Sequence, residues 1–392
     1  MSQLEPRNPA TADDPRRSEL PAPALARPLA RLSALGQSVW VDFLSREALC
    51  GGEIARLIAQ DSVVGATSNP TIFQQAMSRA GGYGEQRLAL AADGVSDPRT
   101  IFWRLAERDM AAACDLFAPT WRASGGRDGY VSLEVDPRHA YDTLATYTEA
   151  MRIHAAVDRP NLMVKVPATT PGLAAVEDLI VAGRSVNVTL VFSLRRYADT
   201  AESYLRGLER LVADGGDPSS VASVASFFIS RIDAAADERL QALGADERLR
   251  GRLGVANAKL AYEHYTRTFS GPRWETLADA GASPQRLLWA STATKDPAYP
   301  DTMYVEELIG PDTVSTMPED LIRAFQDHGR PRPGLRSGLP EARRLLDELA
   351  FVGVDYDELT DALEREGVRK FADSFDSLME SLRENQGALS PA

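Results

Sequence analysis

Residues 161–170 read NLMVKVPATT, a short apolar, β-branched run with one lysine set between Val164 and Val166. Such a run reads as a buried strand, and side chains on a strand alternate between two faces. Val164 and Val166 then point one way, while Met163, Lys165 and Pro167 point the other. The choice of lysine is informative. The chain has only four, Lys165, Lys259, Lys295 and Lys370, and draws nearly all its other positive charge from arginine. Arginine stays protonated at any relevant pH, whereas a desolvated lysine can lose its proton and act as a nucleophile.

Outward from this stretch the same kind of run recurs along the chain. SVWVDFL (38–44), SVVGATS (62–68) and YVSLEVD (130–136) precede NLMVKVP (161–167). SVNVTLVF (185–192), VASVASFFIS (221–230), RLLWAST (286–292) and TVSTMP (313–318) follow it. Between them lie stretches with apolar residues at helical spacing, such as AYDTLATYTEAMRIHAAV. Strand and helix in alternation imply parallel strands joined by crossovers. Eight such strands over about 280 residues fit a (β/α)8 TIM barrel with extra helices, since that fold takes ~250 residues plus insertions. The lysine then lies on the fourth strand, and the barrel occupies 36–334. A doubly wound open sheet is the structural alternative, but no G-x-G-x-x-G follows the first strand. Residues 1–35, rich in Pro, Ala and Arg and without a hydrophobic signal core, read as a disordered or loosely attached arm. Residues 335–392 read as polar-faced helices packed on the barrel.

Strand parity groups the polar residues. In 185–192, Val186, Val188 and Leu190 share one face, and Asn187 and Thr189 the other. In 130–136, Leu133 and Val135 oppose Ser132, Glu134 and Asp136. The apolar sets suit the layer beneath the helices, so Glu134, Lys165, Asn187 and Thr189 face the barrel interior from three consecutive strands. The C-terminal mouth of a barrel is where its enzymes keep their chemistry. A structural salt bridge between Lys165 and Glu134 is the plainer alternative. It accounts for the carboxylate but not for lysine in an arginine-rich chain, nor for inward polar residues on several adjacent strands.

Composition narrows the function classes. A net charge of −13 argues against nucleic-acid binding, which needs clustered positive charge. No apolar stretch is long enough to imply a membrane span, and the cytoplasm is the default location. Cys50 and Cys114 lack metal-type spacing and read as small core residues. His139, His154, His264 and His328 read as surface or helix residues. Asp136, just before Pro137, reads as a turn cap more readily than as a second acid. Nothing in the sequence fixes an oligomeric state, and a homodimer is open.

Six strand-end motifs, VDFLSR, ATSNPTIF, SLEVDPR, LMVKVPAT, VNVTLVFS and FFISRID, occur in one order between about residues 35 and 330. In that order they resemble the transaldolases, and WASTATKDP (289–297) resembles the long bacterial form found in actinobacteria. The resemblance implies a (β/α)8 barrel with a Schiff-base lysine on the fourth strand, sugar-phosphate substrates, and neither a metal nor an organic cofactor. It implies an enzyme of the pentose phosphate pathway. Such an enzyme moves a dihydroxyacetone unit from sedoheptulose 7-phosphate or fructose 6-phosphate to glyceraldehyde 3-phosphate or erythrose 4-phosphate. Carried over motif by motif, Lys165 forms the imine with the ketose C2. Asp42 takes the C4-hydroxyl proton as the C3–C4 bond breaks. Glu134 and Thr189 position the water that shuttles protons, and Asn69 and Asn187 hold the dihydroxyacetone part. Ser226 contacts a substrate hydroxyl, Arg231 the phosphate, and Phe228 lines the pocket. Ser291 matches a phosphate-site serine. The arginine expected two residues later is Ala293, and Lys295 either supplies that charge from a longer loop or is a solvated loop lysine.

Three rivals remain open at this level. A class I aldolase would release the three-carbon unit instead of passing it on. A barrel without chemistry would serve as a scaffold, although Lys165, Glu134 and Asp42 are all present. A pyridoxal-phosphate lysine enzyme would need a cofactor partner that no motif supplies.

Overall fold

The computed structural model describes residues 27–78 and 82–387. Its strands are β1 (Gln37–Val41), β2 (Val63–Thr67), β3 (Val131–Glu134), β4 (Leu162–Pro167), β5 (Val186–Val191), β6 (Ser223–Phe228), β7 (Arg286–Ala290) and β8 (Thr313–Met317). They pair in parallel, in chain order, and β8 returns to β1 to close the barrel. Each run picked from the sequence falls on one strand, β1 starting one residue before its run at Gln37, and the lysine lies on the fourth. The stretch 161–170 also contains the strand's end: after Pro167 the chain turns at Thr169, whose hydroxyl accepts from Gly172 N–H and caps helix Thr170–Val181.

Alternation sorts the side chains into two apolar clusters. Leu133, Val135, Val164, Val166, Val186 and Val188 face outward and pack beneath the helices. Trp40, Met163, Val224, Leu288 and Val314 face inward and fill the barrel as an apolar plug. Gly65 makes room for the indole, because a Cβ there would lie 2.5 Å from ring atoms of Trp40. Below the plug, at the N-terminal end of the strands, Arg286 is buried. It donates to Ser38 Oγ at 2.9 Å, to the Arg127 carbonyl at 2.6 Å and to Asp128 Oδ1 at 2.9 Å.

The structure departs from the sequence-based expectation at several points. Leu190 does not share a face with Val186 and Val188. Its φ of +61° and the register break between Val188 and Val191 turn it inward beside Phe192 and Phe228, while Val191 takes the outer face. The run 221–230 is not all strand: β6 ends at Phe228 and helix Ser230–Ala242 begins, so Arg231 lies in a helical first turn. Cys50 is exposed at the last position of the short helix Arg46–Cys50, whereas Cys114 is buried as expected. Of the expected arm, residues 1–26 lie outside the described residues. Pro28–Ala34 is a helix that buries Leu29 and Leu32 and packs on β1.

Beyond the barrel, Leu339–Phe351 packs on helix Leu253–Thr268. The final helix, Tyr356–Gly387, has 32 residues and so runs ~48 Å at 1.5 Å per residue. That is long enough to span the barrel, and it crosses the C-terminal mouth. At its start the Tyr356 hydroxyl donates to Asn257 Oδ1 and accepts from Leu194 N–H, and Glu364 pairs with Arg196 at 2.7 Å. Further along, Ser374 meets Thr71 at 2.9 Å and the Phe375 ring meets Phe102 edge-on at 5.2 Å. Among the described residues no helix is long and apolar enough to cross a membrane.

Candidate active site

The strand register places Glu134 beside Lys165 and Lys165 beside Asn187, with Pro167 opposite Thr189 one step higher. Three adjacent strands thus supply a polar layer directly above the apolar plug. Lys165 Nζ lies 3.4 Å from Glu134 Oε2 and donates to the Ser68 carbonyl at 3.2 Å. Both residues are almost fully buried. Asn187 Nδ2 donates to Ser132 Oγ at 3.0 Å, and its Oδ1 accepts from Ser226 Oγ at 2.7 Å. These two bonds hold the amide plane between Ser132 of β3 and Ser226 of β6.

Not every polar atom in this layer is satisfied. Glu134 Oε1 and the Thr189 hydroxyl are buried without a hydrogen-bond partner among the described residues, and Glu134 Oε2 has only its 3.4 Å contact with Lys165. A buried polar group left unpaired costs ~1–3 kcal/mol, so a layer kept in this form is suited to bonding something other than the protein. Burial pushes the Glu134 carboxyl up to about 7, against the pull of Lys165 and, more weakly, Arg231.

Asp42 follows β1 at the rim, where its N–H donates to the Met317 carbonyl on β8. Burial raises its carboxyl to about 6, and the ammonium groups of Lys165 and then Lys295 oppose that rise. Lys295 itself is an exposed loop residue, so the longer WASTATKDP loop brings positive charge within electrostatic reach of the mouth. Asn69 follows Ser68 in the β2 loop. Its Oδ1 accepts from Ile72 N–H at 3.0 Å and caps helix Pro70–Ser78, which leaves the two N–H donors of its amide and the second lone pair of Oδ1 for a ligand.

The opposite rim is built differently. Arg231 stands with its guanidinium carbon 5.2 Å from the Phe228 ring centroid, and burial lowers its hold on the proton. Among the described residues no carboxylate lies within ion-pair distance of it. A half-buried guanidinium against an aromatic face, without a protein anion, is poised to take an external one. Beside it, Ser291 has a φ of +56°, and this left-handed turn brings its hydroxyl 2.8 Å from that of Ser230. The two hydroxyls meet at the start of helix Ser230–Ala242, whose first turn also carries Arg231 and whose backbone N–H groups favour an anion.

Two groups of the site are missed by the sequence reading. Ser230 had a signal, since it stands directly before Arg231, but it was absorbed into an expected strand. Phe371 of the final helix had none. It falls on the apolar stripe with Val368, Phe375 and Leu378, and reads as core. Asp136 lies outside the polar layer: its carboxylate accepts from Arg138 N–H, caps the turn Pro137–His139, and pairs with Arg138 and Arg99.

Comparison with known proteins agrees with this geometry. The family model described as Transaldolase/Fructose-6-phosphate aldolase matches residues 39–382. A protein named transaldolase from Parafrankia sp. (strain EAN1pec) is 50% identical over 367 residues, covering 93% of this chain and 99% of its own. A transaldolase from Renibacterium salmoninarum is 49% identical, covering 90% and 95%, and one from Frankia alni is 47% identical, covering 93% and 98%.

Proposed function

The chain belongs to the transaldolase/fructose-6-phosphate aldolase family, and we propose that it works as a transaldolase whose Lys165 carries the transferred unit. The observation that supports this most directly is the polar layer. A lysine is held 3.4 Å from a carboxylate whose other oxygen, like the neighbouring threonine hydroxyl, is buried without a hydrogen-bond partner among the described residues.

The unprotonated Lys165 amine attacks the C2 carbonyl of a ketose phosphate, and the carbinolamine loses water to give the imine. Glu134 suits the proton transfers in both directions, because a carboxyl near 7 is populated in both forms at neutral pH. Thr189 orients the water involved. Asn187, its amide fixed by Ser132 and Ser226, and Asn69, through its nitrogen, hold the hydroxyls of the three-carbon end. Asp42 accepts the C4-hydroxyl proton, the C3–C4 bond breaks, and its electrons pass into the protonated imine. The aldose phosphate leaves, and the enamine on Lys165 attacks the next aldehyde. Arg231, Ser230 and Ser291 grip the phosphate at the other rim, with Phe228 lining the space between.

Borohydride reduction in the presence of fructose 6-phosphate, followed by peptide mapping, tests the assignment. The label is expected on the 161–170 peptide at Lys165. Label on Lys259, Lys295 or Lys370 would refute it. Formation of sedoheptulose 7-phosphate when erythrose 4-phosphate is added separates transfer from simple aldol cleavage.

A further inference from the structure

Phe371 stands over both cations of the site. Its ring centroid is 5.9 Å from Lys165 Nζ and 5.8 Å from the Arg231 guanidinium carbon, and the residue is 3% exposed. Two irregularities bring the final helix this close. Leu190 turns inward through its left-handed backbone, and Gly367, one turn before Phe371 on the same helix face, packs directly on it. A Cβ at position 367 would lie 2.9 Å from Leu190 Cδ2, closer than packed carbons tolerate. The polar and aromatic contacts on either side of the crossing hold the helix in place, so the ring is fixed over the mouth.

We propose that Phe371 decides the fate of the three-carbon unit. By covering the Lys165 nitrogen with an apolar ring it keeps bulk water from the imine carbon, so that the unit waits for an aldehyde. The proposal rests on Lys165 being the imine-forming residue. Two routes leave the same intermediate. In transfer, the nucleophilic C3 of the enamine attacks the aldehyde carbon, a C–C bond forms, and the aldehyde oxygen takes a proton. In hydrolysis, C3 takes a proton instead and the oxygen of a water molecule adds to C2. The C2–N bond then breaks with its electron pair returning to Nζ, and dihydroxyacetone leaves as the ketone. Transfer also takes up water at C2, but only after the C–C bond has formed: water adds to C2 of the longer iminium, the C2–N bond breaks with its electron pair returning to Nζ, and the new ketose phosphate leaves. The second route admits water while the unit is still three carbons long. The ring face also favours the positively charged iminium over the neutral carbinolamine that follows water addition. On the bare three-carbon iminium both effects slow hydrolysis, while C–C bond formation, which needs no water, is left to the aldehyde pocket.

The test uses the full chain with Phe371→Ala and Phe371→Leu, and fructose 6-phosphate as donor. Dihydroxyacetone released without acceptor is measured against sedoheptulose 7-phosphate formed with erythrose 4-phosphate. Phe371→Ala is expected to raise the ratio of hydrolysis to transfer about tenfold, equivalent to ~1.4 kcal/mol between the two barriers. Phe371→Leu, which keeps an apolar cover and most of the packing, is expected to stay within about threefold of the parent, or ~0.6 kcal/mol by the same conversion. Borohydride trapping at Lys165 is run on all three proteins. An unchanged ratio in a Phe371→Ala protein that still traps the imine would overturn the proposal, as would a fall in both rates together. Failure to trap at Lys165 in the parent protein would instead overturn the reading on which the proposal stands.

Discussion

Asp42→Asn separates a catalytic carboxylate from a structural one through two measurements of opposite sign. In the folded chain burial holds the Asp42 proton to about 6, whereas an unfolded aspartate releases it at 3.8. Between these values the folded state binds more protons than the unfolded one, so stability falls as pH rises from 3.8 to 6 and stays lower above. The displacement corresponds to at most ~3 kcal/mol at ~1.4 kcal/mol per pH unit, an upper limit because the side chain is only partly buried. Asparagine keeps the shape and carries no charge, so the variant should be more stable than the parent at pH 8. For a chain of this length, with an unfolding entropy of ~2.1 cal/mol/K per residue, the gain is at most ~4 °C in Tm. The advantage should shrink through pH 6 and vanish by pH 4. Turnover should move the other way. Loss of a general base costs ~10²–10⁴-fold, and the pH–rate profile should lose the acid step near pH 6 that Asp42 gives the parent, keeping the one from Glu134 near 7. Thermal melts at pH 4, 6 and 8 and pH-dependent cleavage of fructose 6-phosphate measure both. A variant that keeps its turnover, or that is no more stable at pH 8 than at pH 4 relative to the parent, would show that the mouth does not hold Asp42 as described.

Two further outcomes are expected. Arg231→Ala should raise KM for fructose 6-phosphate and narrow the gap between phosphorylated and unphosphorylated donors, because in the proposed function the guanidinium binds the remote phosphate and none of the reacting atoms; equal losses for both donor classes would remove it from the phosphate site. His154 on helix Thr143–Val157 is buried, and burial, with Arg184 nearby, lowers its imidazole to about 4. Below 6.5 the unfolded chain takes a proton that the folded one refuses, so stability should fall from pH 6.5 towards 4. His154→Phe should flatten that fall by up to ~2 kcal/mol between pH 7 and 5, measured by urea unfolding at the two values; an unchanged slope would place the acid sensitivity elsewhere.

The barrel was legible because its strands are short β-branched runs whose alternation is nearly unbroken, and the polar layer was legible for the same reason. Glu134, Lys165, Asn187 and Thr189 needed only parity and neighbouring registers to be brought together. What parity cannot carry is a left-handed residue. Leu190 and Ser291 both have positive φ although neither is glycine, and a single such turn reverses the face of whatever follows. Leu190 was therefore assigned to the wrong side, and the Ser291–Ser230 contact had no local signal. Phe371 is separated from Lys165 by more than two hundred residues of sequence. Its place over the site depends on how a helix crosses a barrel, which helical periodicity does not encode.

The preference for lysine at position 165 becomes intelligible beside the barrel's other interior cation. Arg286 lies on the same inward face, below the apolar plug, and its fork is used in full geometry. Ser38 Oγ, the Arg127 carbonyl and Asp128 Oδ1 each take a hydrogen bond from it. A planar, permanently charged group suits a position whose work is to hold three fixed acceptors. Above the plug the acceptors are fewer: one carbonyl at 3.2 Å and one carboxylate oxygen at 3.4 Å, with an aromatic ring rather than an acceptor on the remaining side. A guanidinium there would bury donors that nothing answers, at ~1–3 kcal/mol each. An ammonium offers three donors where a guanidinium offers five, so it leaves fewer of them unanswered here. The sparse acceptor set around Lys165 is thus the structural counterpart of its chemistry. The same sparseness that would make an arginine costly leaves room for a carbon atom to approach the nitrogen.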